Sequence, residues 1–279
     1  MTGWRGMLAV WIGLFLVSPA GAGGPSTQPA SQPAERCMYI PPDWADRVVY
    51  YNSFERGIDQ PEVNSTGGRT TGPRSAGVEG LAGKGCDFPA RTDAKRGLVL
   101  SGVSFPLHRP LTVMLWWKPT APMRQTSGFH LISLSGKGYI SNFVRGQGDW
   151  CGLKEPTFVL QVYNWQNVPN YNGIRHGSGW VEADRWHHAA IVVSKGSNVR
   201  VYWDGKLRCD YTIEGRLFRP DDVIKGIELG PHWLFHPMTI DEVMILDKAL
   251  SPEEIAGYIV AVRELSVMGF PVFAPSVRP

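Results

Sequence analysis

Apolar side chains recur with a period of two in short runs along most of this chain, whereas a helical period is convincing only once, near the C-terminus. A short alternating run buries one face and leaves its backbone groups unpaired, so such runs must assemble into sheets that stack on one another. Val48-Val49-Tyr50-Tyr51 opens the series and stops at Asn52-Ser53. Further strands are predicted at 98–100, 111–117, 129–134, 158–165, 187–193, 198–203, 226–230 and 239–246. Asp204-Gly205, between Trp203 and Lys206, is a two-residue hairpin signal, because both residues tolerate the positive φ that such a turn requires. The one helix start is Ser251-Pro252-Glu253-Glu254, a capping box with proline at the first helical position. Ile255, Tyr258, Ile259 and Val262 follow on one helical face. With 32 glycines, 22 prolines and 11 tryptophans, the composition suits strands and turns better than helices. The predicted class is all-β, a two-sheet antiparallel sandwich with one short C-terminal helix.

The run His188-Ala189-Ala190-Ile191-Val192-Val193 is apolar on both faces. A sandwich strand needs only one apolar face unless something covers the other. The expectation is a curved sheet whose concave side is roofed by loops, which makes the sandwich a jelly roll with a groove.

The chain divides into four segments. Arg5, the apolar run 7–17 and Ala20-Gly21-Ala22 read as a signal peptide over 1–22, and the run is about half the ~20 residues of a membrane helix. Residues 23–36 hold no large apolar side chain and read as a Pro/Ser/Gln-rich linker. The folded domain is expected over 37–265, with a tail at 266–279. Export implies a secreted, periplasmic or cell-surface protein without membrane insertion after cleavage. It also makes Cys37, Cys86, Cys151 and Cys209 disulfide-permissive, with three pairings open. Their wide spacing fits no zinc motif. A net charge of +3 without a Lys/Arg cluster argues against a nucleic-acid partner.

Several strings occur in order: Asp184-Arg185-Trp186-His187-His188-Ala189-Ala190, Val201-Tyr202-Trp203-Asp204-Gly205, Glu228-Leu229-Gly230, Ile240-Asp241-Glu242-Val243 and Ala249-Leu250-Ser251-Pro252-Glu253-Glu254. Together with Tyr50-Tyr51-Asn52-Ser53-Phe54 and the run 111–119, they closely resemble the laminin-G-like jelly-roll domain of the concanavalin-A-like lectin/glucanase superfamily. The resemblance spans roughly 48–259 and is poor over 138–179. It implies the jelly-roll fold. It also implies a candidate structural calcium, held between the start of the domain and the last core strand, with Asp241 as the candidate ligand. Asp241 ordering the adjacent turn is the alternative. Trp116 and Trp186 read as packing residues, and His188 as a hydrogen-bonded core histidine.

Catalytic patterns are weak. Glycoside hydrolysis needs two facing carboxylates. The one start of a Glu-x-Asp-x-Glu string, Glu182-Ala183-Asp184, lacks its second glutamate and precedes its strand. Asp241 and Glu242 are adjacent, which on a regular strand puts them on opposite faces. No Gly-x-Ser-x-Gly elbow occurs, and His232 and His236 lie between Pro231 and Pro237, in what reads as a loop. The segment 146–180 instead mixes aromatic rings with planar amides, as a sugar groove requires for stacking and paired hydrogen bonds. Trp150, Asn170, Tyr171, Asn172 and Trp180 are the candidate ligand-binding residues. The favoured function is an exported, non-catalytic carbohydrate- or surface-binding module whose partner is a glycan or cell-surface polysaccharide. The alternatives are a glycan-active hydrolase or lyase with a degenerate motif, and a structural or adhesive protein-interaction domain.

Overall fold

The computed structural model describes residues 40–72, 76–88, 97–122, 128–136, 138–145, 157–164, 174–177, 181–194, 198–212, 222–232 and 236–268. Of the two units into which the chain divides, 1–34 lies outside these residues, and the fold belongs to 35–279. After a 3-10 turn (Pro42–Trp44) come β1 (Val48–Asn52), β2 (Val63–Asn64), β3 (Arg69–Thr71), β4 (Ala76–Glu79), β5 (Lys84–Phe88) and β6 (Leu98–Pro106). Next are β7 (Leu111–Pro119), β8 (Gly128–Ser135), β9 (Gly138–Arg145), β10 (Thr157–Asn164) and β11 (Ile174–Gly177). The series ends with β12 (His187–Ser194), β13 (Asn198–Trp203), β14 (Lys206–Thr212), β15 (Val223–His232), β16 (Met238–Leu246) and α1 (Pro252–Met268). α1 thus continues beyond residue 265, where the sequence ended the domain.

Every strand pairing is antiparallel. One sheet has nine strands in the order β14-β13-β12-β7-β16-β1-β2, with β5 also on β16 and β4 on β5. The other has seven, in the order β11-β10-β9-β8-β15-β6-β3. Alternation sends Leu115, Trp117, Ile191, Val201 and Ile245 from the first sheet against Leu100, Phe129, Leu134, Ile140 and Ile227 from the second, forming the core between them. Cys86 and Cys209 belong to this core as free thiols, so any bridge involving neither would have to join Cys37 and Cys151, which lie outside the described residues. The Asp204-Gly205 hairpin forms as expected, with φ of 46° and 75°.

A second apolar layer lies on the other face of the nine-stranded sheet. Tyr51, Met114, Trp116, Ala190, Val192 and Met244 are covered there by Trp44 and by Ile255, Tyr258, Ile259 and Val262 of α1. This corrects the expectation for residues 188–193. β12 is apolar on both sides because a helix packs on the second one, and no roof of loops over a groove is needed. The capping box holds that helix start. The Ser251 amide donates to Glu254 Oε2 at 2.8 Å, and the Glu254 amide donates to Ser251 Oγ at 3.2 Å. Thr112 Oγ1 fixes the approach to it, donating to the Lys248 carbonyl at 2.6 Å and accepting from the Leu250 amide at 3.1 Å.

Candidate functional site

Because α1 seals the nine-stranded sheet, the outer face of the seven-stranded sheet is the other broad surface that the sandwich offers. Leu100, Ile227, Leu134 and Ile140 point into the core, so their strand neighbours turn outward. One register row runs across five strands as Val99, Glu228, Ser133, Ser141 and Gln161. The adjacent row is Ser101, Gly226, Ser135, Tyr139 and Tyr163. Polar side chains at the centre are joined to one another. Ser133 Oγ donates to Ser141 Oγ at 3.1 Å, and Ser141 Oγ also meets His130 Nδ1. His130, Ser133 and Ser141 are buried, and Glu228 is half-buried.

The seven strands contain a single carboxylate, Glu228, where glycoside hydrolysis uses two. Ser141 is fully buried in mid-strand, paired with Ser133 on one side and Gln161 on the other. A serine nucleophile needs a strained turn that exposes its oxygen beside free amides. Ser141 has neither.

A carboxylate cluster lies at the far side of the nine-stranded sheet, where one edge of β16 changes partner. Val243–Leu246 pair with β1, and Met238–Ile240 pair with β5. At this junction β16 bulges, and Glu242 has a φ of 53°. The bulge breaks the alternation, so Asp241 and Glu242 do not take opposite faces as their adjacency suggested. Both turn away from the core between the sheets, which receives Ile240 and Val243. Asp241 Oδ2 accepts from the amides of Leu81 (2.7 Å) and Ala82 (3.4 Å), and Oδ1 accepts from the Glu242 amide (2.8 Å). Gly80 makes room for this, since a Cβ there would lie 2.4 Å from Asp241 Oδ2. Nearby, Glu55 Oε1 accepts from the Lys84 amide at 2.6 Å. Calcium is caged by carboxylate and carbonyl oxygens. Three backbone amides reach the Asp241 oxygens instead, which is the arrangement of an ordered turn. No group of three His, Cys, Asp or Glu suited to a metal occurs among the described residues.

The fold matches known proteins as follows. The profile of a family in the concanavalin A-like lectin/glucanases superfamily, Laminin_G_3, matches residues 92–256. The chain belongs to this family. Domain 4 of AbnA, a GH43 extracellular arabinanase from Geobacillus stearothermophilus, solved in complex with arabinotriose, is 21% identical with a TM-score of 0.52; the match covers 76% of this chain and 98% of that one. The ligand-binding domain of botulinum neurotoxin serotype D, solved with N-acetylneuraminic acid, is 14% identical with a TM-score of 0.54, covering 77% of this chain and 51% of that one. The binding domain of Paraclostridial Mosquitocidal Protein 1 is 15% identical with a TM-score of 0.51, covering 77% and 52%. The chain thus spans about half the length of these toxin domains. No curated protein matches it by sequence.

In this laminin-G-like domain, Trp150, Asn170, Tyr171, Asn172 and Trp180 lie outside the described residues. The segment with Trp150 joins Arg145 to Thr157, and Trp180 follows Gly177, which pairs with Thr157. The segment with Asn170, Tyr171 and Asn172 leaves from Asn164, at the opposite end of β10. Among the other residues singled out, Trp116 is fully buried, and Trp186 is half-buried under the Lys118 ammonium, 5.2 Å from its ring. His232 ends β15 rather than lying in a loop, and His236 stacks on Phe129 at 5.6 Å. His188 is fully buried, but neither ring nitrogen has a hydrogen-bond partner among the described residues. The row of Ser133, Ser141 and Glu228 was missed, because serines in alternating strands carry no signal of their own.

Proposed function

We propose that this laminin-G-like domain is an exported, non-catalytic carbohydrate-binding module whose ligand lies along β10, across the outer face of the seven-stranded sheet. The observation that carries this reading is the single carboxylate, Glu228, in the seven strands of that sheet, whose polar row, buried at Ser133 and Ser141, holds no acid–nucleophile pair within the strands. Sugar complexes of fold neighbours, one with arabinotriose and one with N-acetylneuraminic acid, support it by analogy of fold. Trp150 and Trp180 serve one end of β10, and Asn170, Tyr171 and Asn172 serve the other. Eight strand residues span roughly 25 Å, so the ligand is an oligosaccharide chain rather than a single sugar. Residues 1–22 direct export, 23–36 tether the domain, and the protein acts outside the cytoplasm.

Two observations weigh against the rival functions. The lone strand carboxylate disfavours a hydrolase. Among the described residues, Leu207 and Val260 are the exposed large apolar side chains, too few for the contiguous patch of an adhesive surface. The test is a glycan array probed with the purified mature chain, with and without calcium, followed by an assay for released reducing ends. Oligosaccharide binding that is independent of calcium and releases no reducing ends is expected. Steady release of reducing ends, or no glycan bound at all, contradicts the reading.

A further inference from the structure

At one end of the sandwich, between the two sheets, a cavity of about 390 Å³ opens among the start of β1, the turn after β2, the end of β6, the β6–β7 turn and the end of β16. Its size suits one small ligand group. Arg47, Arg109 and Asp247 are its charged residues. Arg47 and Asp247 hold each other. Arg47 Nε lies 3.0 Å from Asp247 Oδ1, Arg47 Nη2 donates to the Asp247 carbonyl at 2.8 Å, and the Asp247 amide donates to the Arg47 carbonyl at 3.0 Å. That pairing neutralises Asp247 and fixes the first guanidinium in place. Arg109, which is exposed, makes no ion pair with any described residue, so among the described lining residues it is the positive charge that Asp247 does not offset. The turn holding Arg109 is itself pinned, with its amide donating to the Pro106 carbonyl at 3.0 Å and the Leu107 amide donating to the Asp222 carbonyl at 2.9 Å.

The remaining walls are of two kinds. Ser65, Thr66 and Ser104 line the cavity with polar side chains. Ser65 Oγ donates to the Val49 carbonyl at 3.2 Å, and Thr66 Oγ1 donates to Asn64 Oδ1 at 2.7 Å while accepting from the Gly68 amide at 3.0 Å. Phe105, Pro106 and Pro110 contribute apolar surface, and Phe105 is held by packing against the core. A guanidinium with several planar donors recognises a carboxylate or sulfate oxyanion. Hydroxyls beside an aromatic and two proline rings suit a polyhydroxylated ring with one apolar face.

We infer that this cavity is a second ligand site, distinct from the outer face of the seven-stranded sheet, that takes an acidic sugar unit with its carboxylate or sulfate ester on Arg109. It does not depend on where neutral glycan binds. The test titrates the full mature chain with tetragalacturonate, with its methyl ester and with N-acetylglucosamine 6-sulfate, following the heat of binding. The expected result is binding of at least one acidic probe, weakened tenfold or more in Arg109→Gln with an unchanged melting temperature, and weakened by salt. If tetragalacturonate is the ligand, its methyl ester binds tenfold or more weaker. Failure of both acidic probes to bind overturns the inference, as does equal binding of tetragalacturonate and its ester, or equal binding by Arg109→Gln and the parent. Loss of the acidic probe in Trp150→Ala but not in Arg109→Gln also overturns it, while leaving the binding function of the sheet face intact.

Discussion

Glu242 Oε2 accepts a hydrogen bond from the Tyr51 hydroxyl at 2.5 Å, while Oε1 of the same fully buried carboxyl has no partner among the described residues. Burial, and then the neighbouring Asp241, push the Glu242 carboxyl well above the ordinary carboxylate range, and burial does the same to Asp241. A carboxyl raised in this way binds its proton more tightly folded than unfolded. Its contribution is complete below the unfolded value of about 4.3 and is lost as pH rises through the folded one. Glu242→Gln cannot ionise. Its melting temperature should fall less than the parent's as pH is raised from about 4. Parallel curves for the two proteins contradict this.

His188 titrates with the opposite sign. Burial pushes its imidazole down to about 3, with Asp204 opposing and Arg263 assisting. The ring lies edge-on to Trp116 at 5.2 Å and 5.7 Å from Tyr258, under α1. Protonation is then easier unfolded than folded, so stability is lost as pH falls from about 6.5 toward the folded value. His188→Leu should remove much of the melting-temperature loss between pH 7 and 4. An unchanged acid-side slope contradicts the assignment.

The two reciprocal hydrogen bonds between Ser251 and Glu254 predict the cost of losing the helix cap. Ser251→Ala should destabilise the domain by about 0.5–2 kcal/mol, read from chemical denaturation. No change would mean that this cap does not limit the docking of α1.

Burial pushes the Cys86 and Cys209 thiols up to about 12, Asp87 and Asp241 adding to the first and Asp210 to the second. Thiolate is the reactive form. Neither residue should alkylate in the native protein at pH 8, and both should alkylate after unfolding without reductant. A bridge found by mass spectrometry on either one contradicts this.

The sequence foretold the strands rich in β-branched, aliphatic and aromatic side chains. β7, β8, β12, β13 and β16 fall within two residues of expectation, and the turn at Asp204-Gly205 and the helix at Ser251 form as read. β9 escaped notice because Tyr139-Ile140 and Phe143-Val144 come as doublets four residues apart, a pattern that is neither helical nor strand-like. β4 and β5 lie in or beside glycine-rich sequence that offers no period. The bulge at Glu242 has no local signal, since a glutamate rarely adopts positive φ. The junction of β1 and β5 on β16 creates it, and only the assembled sheet reveals that two adjacent carboxylates avoid opposite faces. The apolar second face of β12 was read correctly as covered, but local sequence did not say that the cover is α1, some sixty residues later.

The central claim is that the aromatic residues flanking β10 grip a glycan without supporting the core. The direct measurement pairs melting temperature with glycan retention for Trp150→Ala and Tyr171→Ala. An exposed stacking ring contributes binding, whereas truncating a core tryptophan costs roughly 3–5 kcal/mol of stability. The account predicts that each variant melts with the parent and retains the glycan at least several-fold less. A large fall in melting temperature would assign the rings to the core. Unchanged melting with unchanged retention would contradict the proposed site outright.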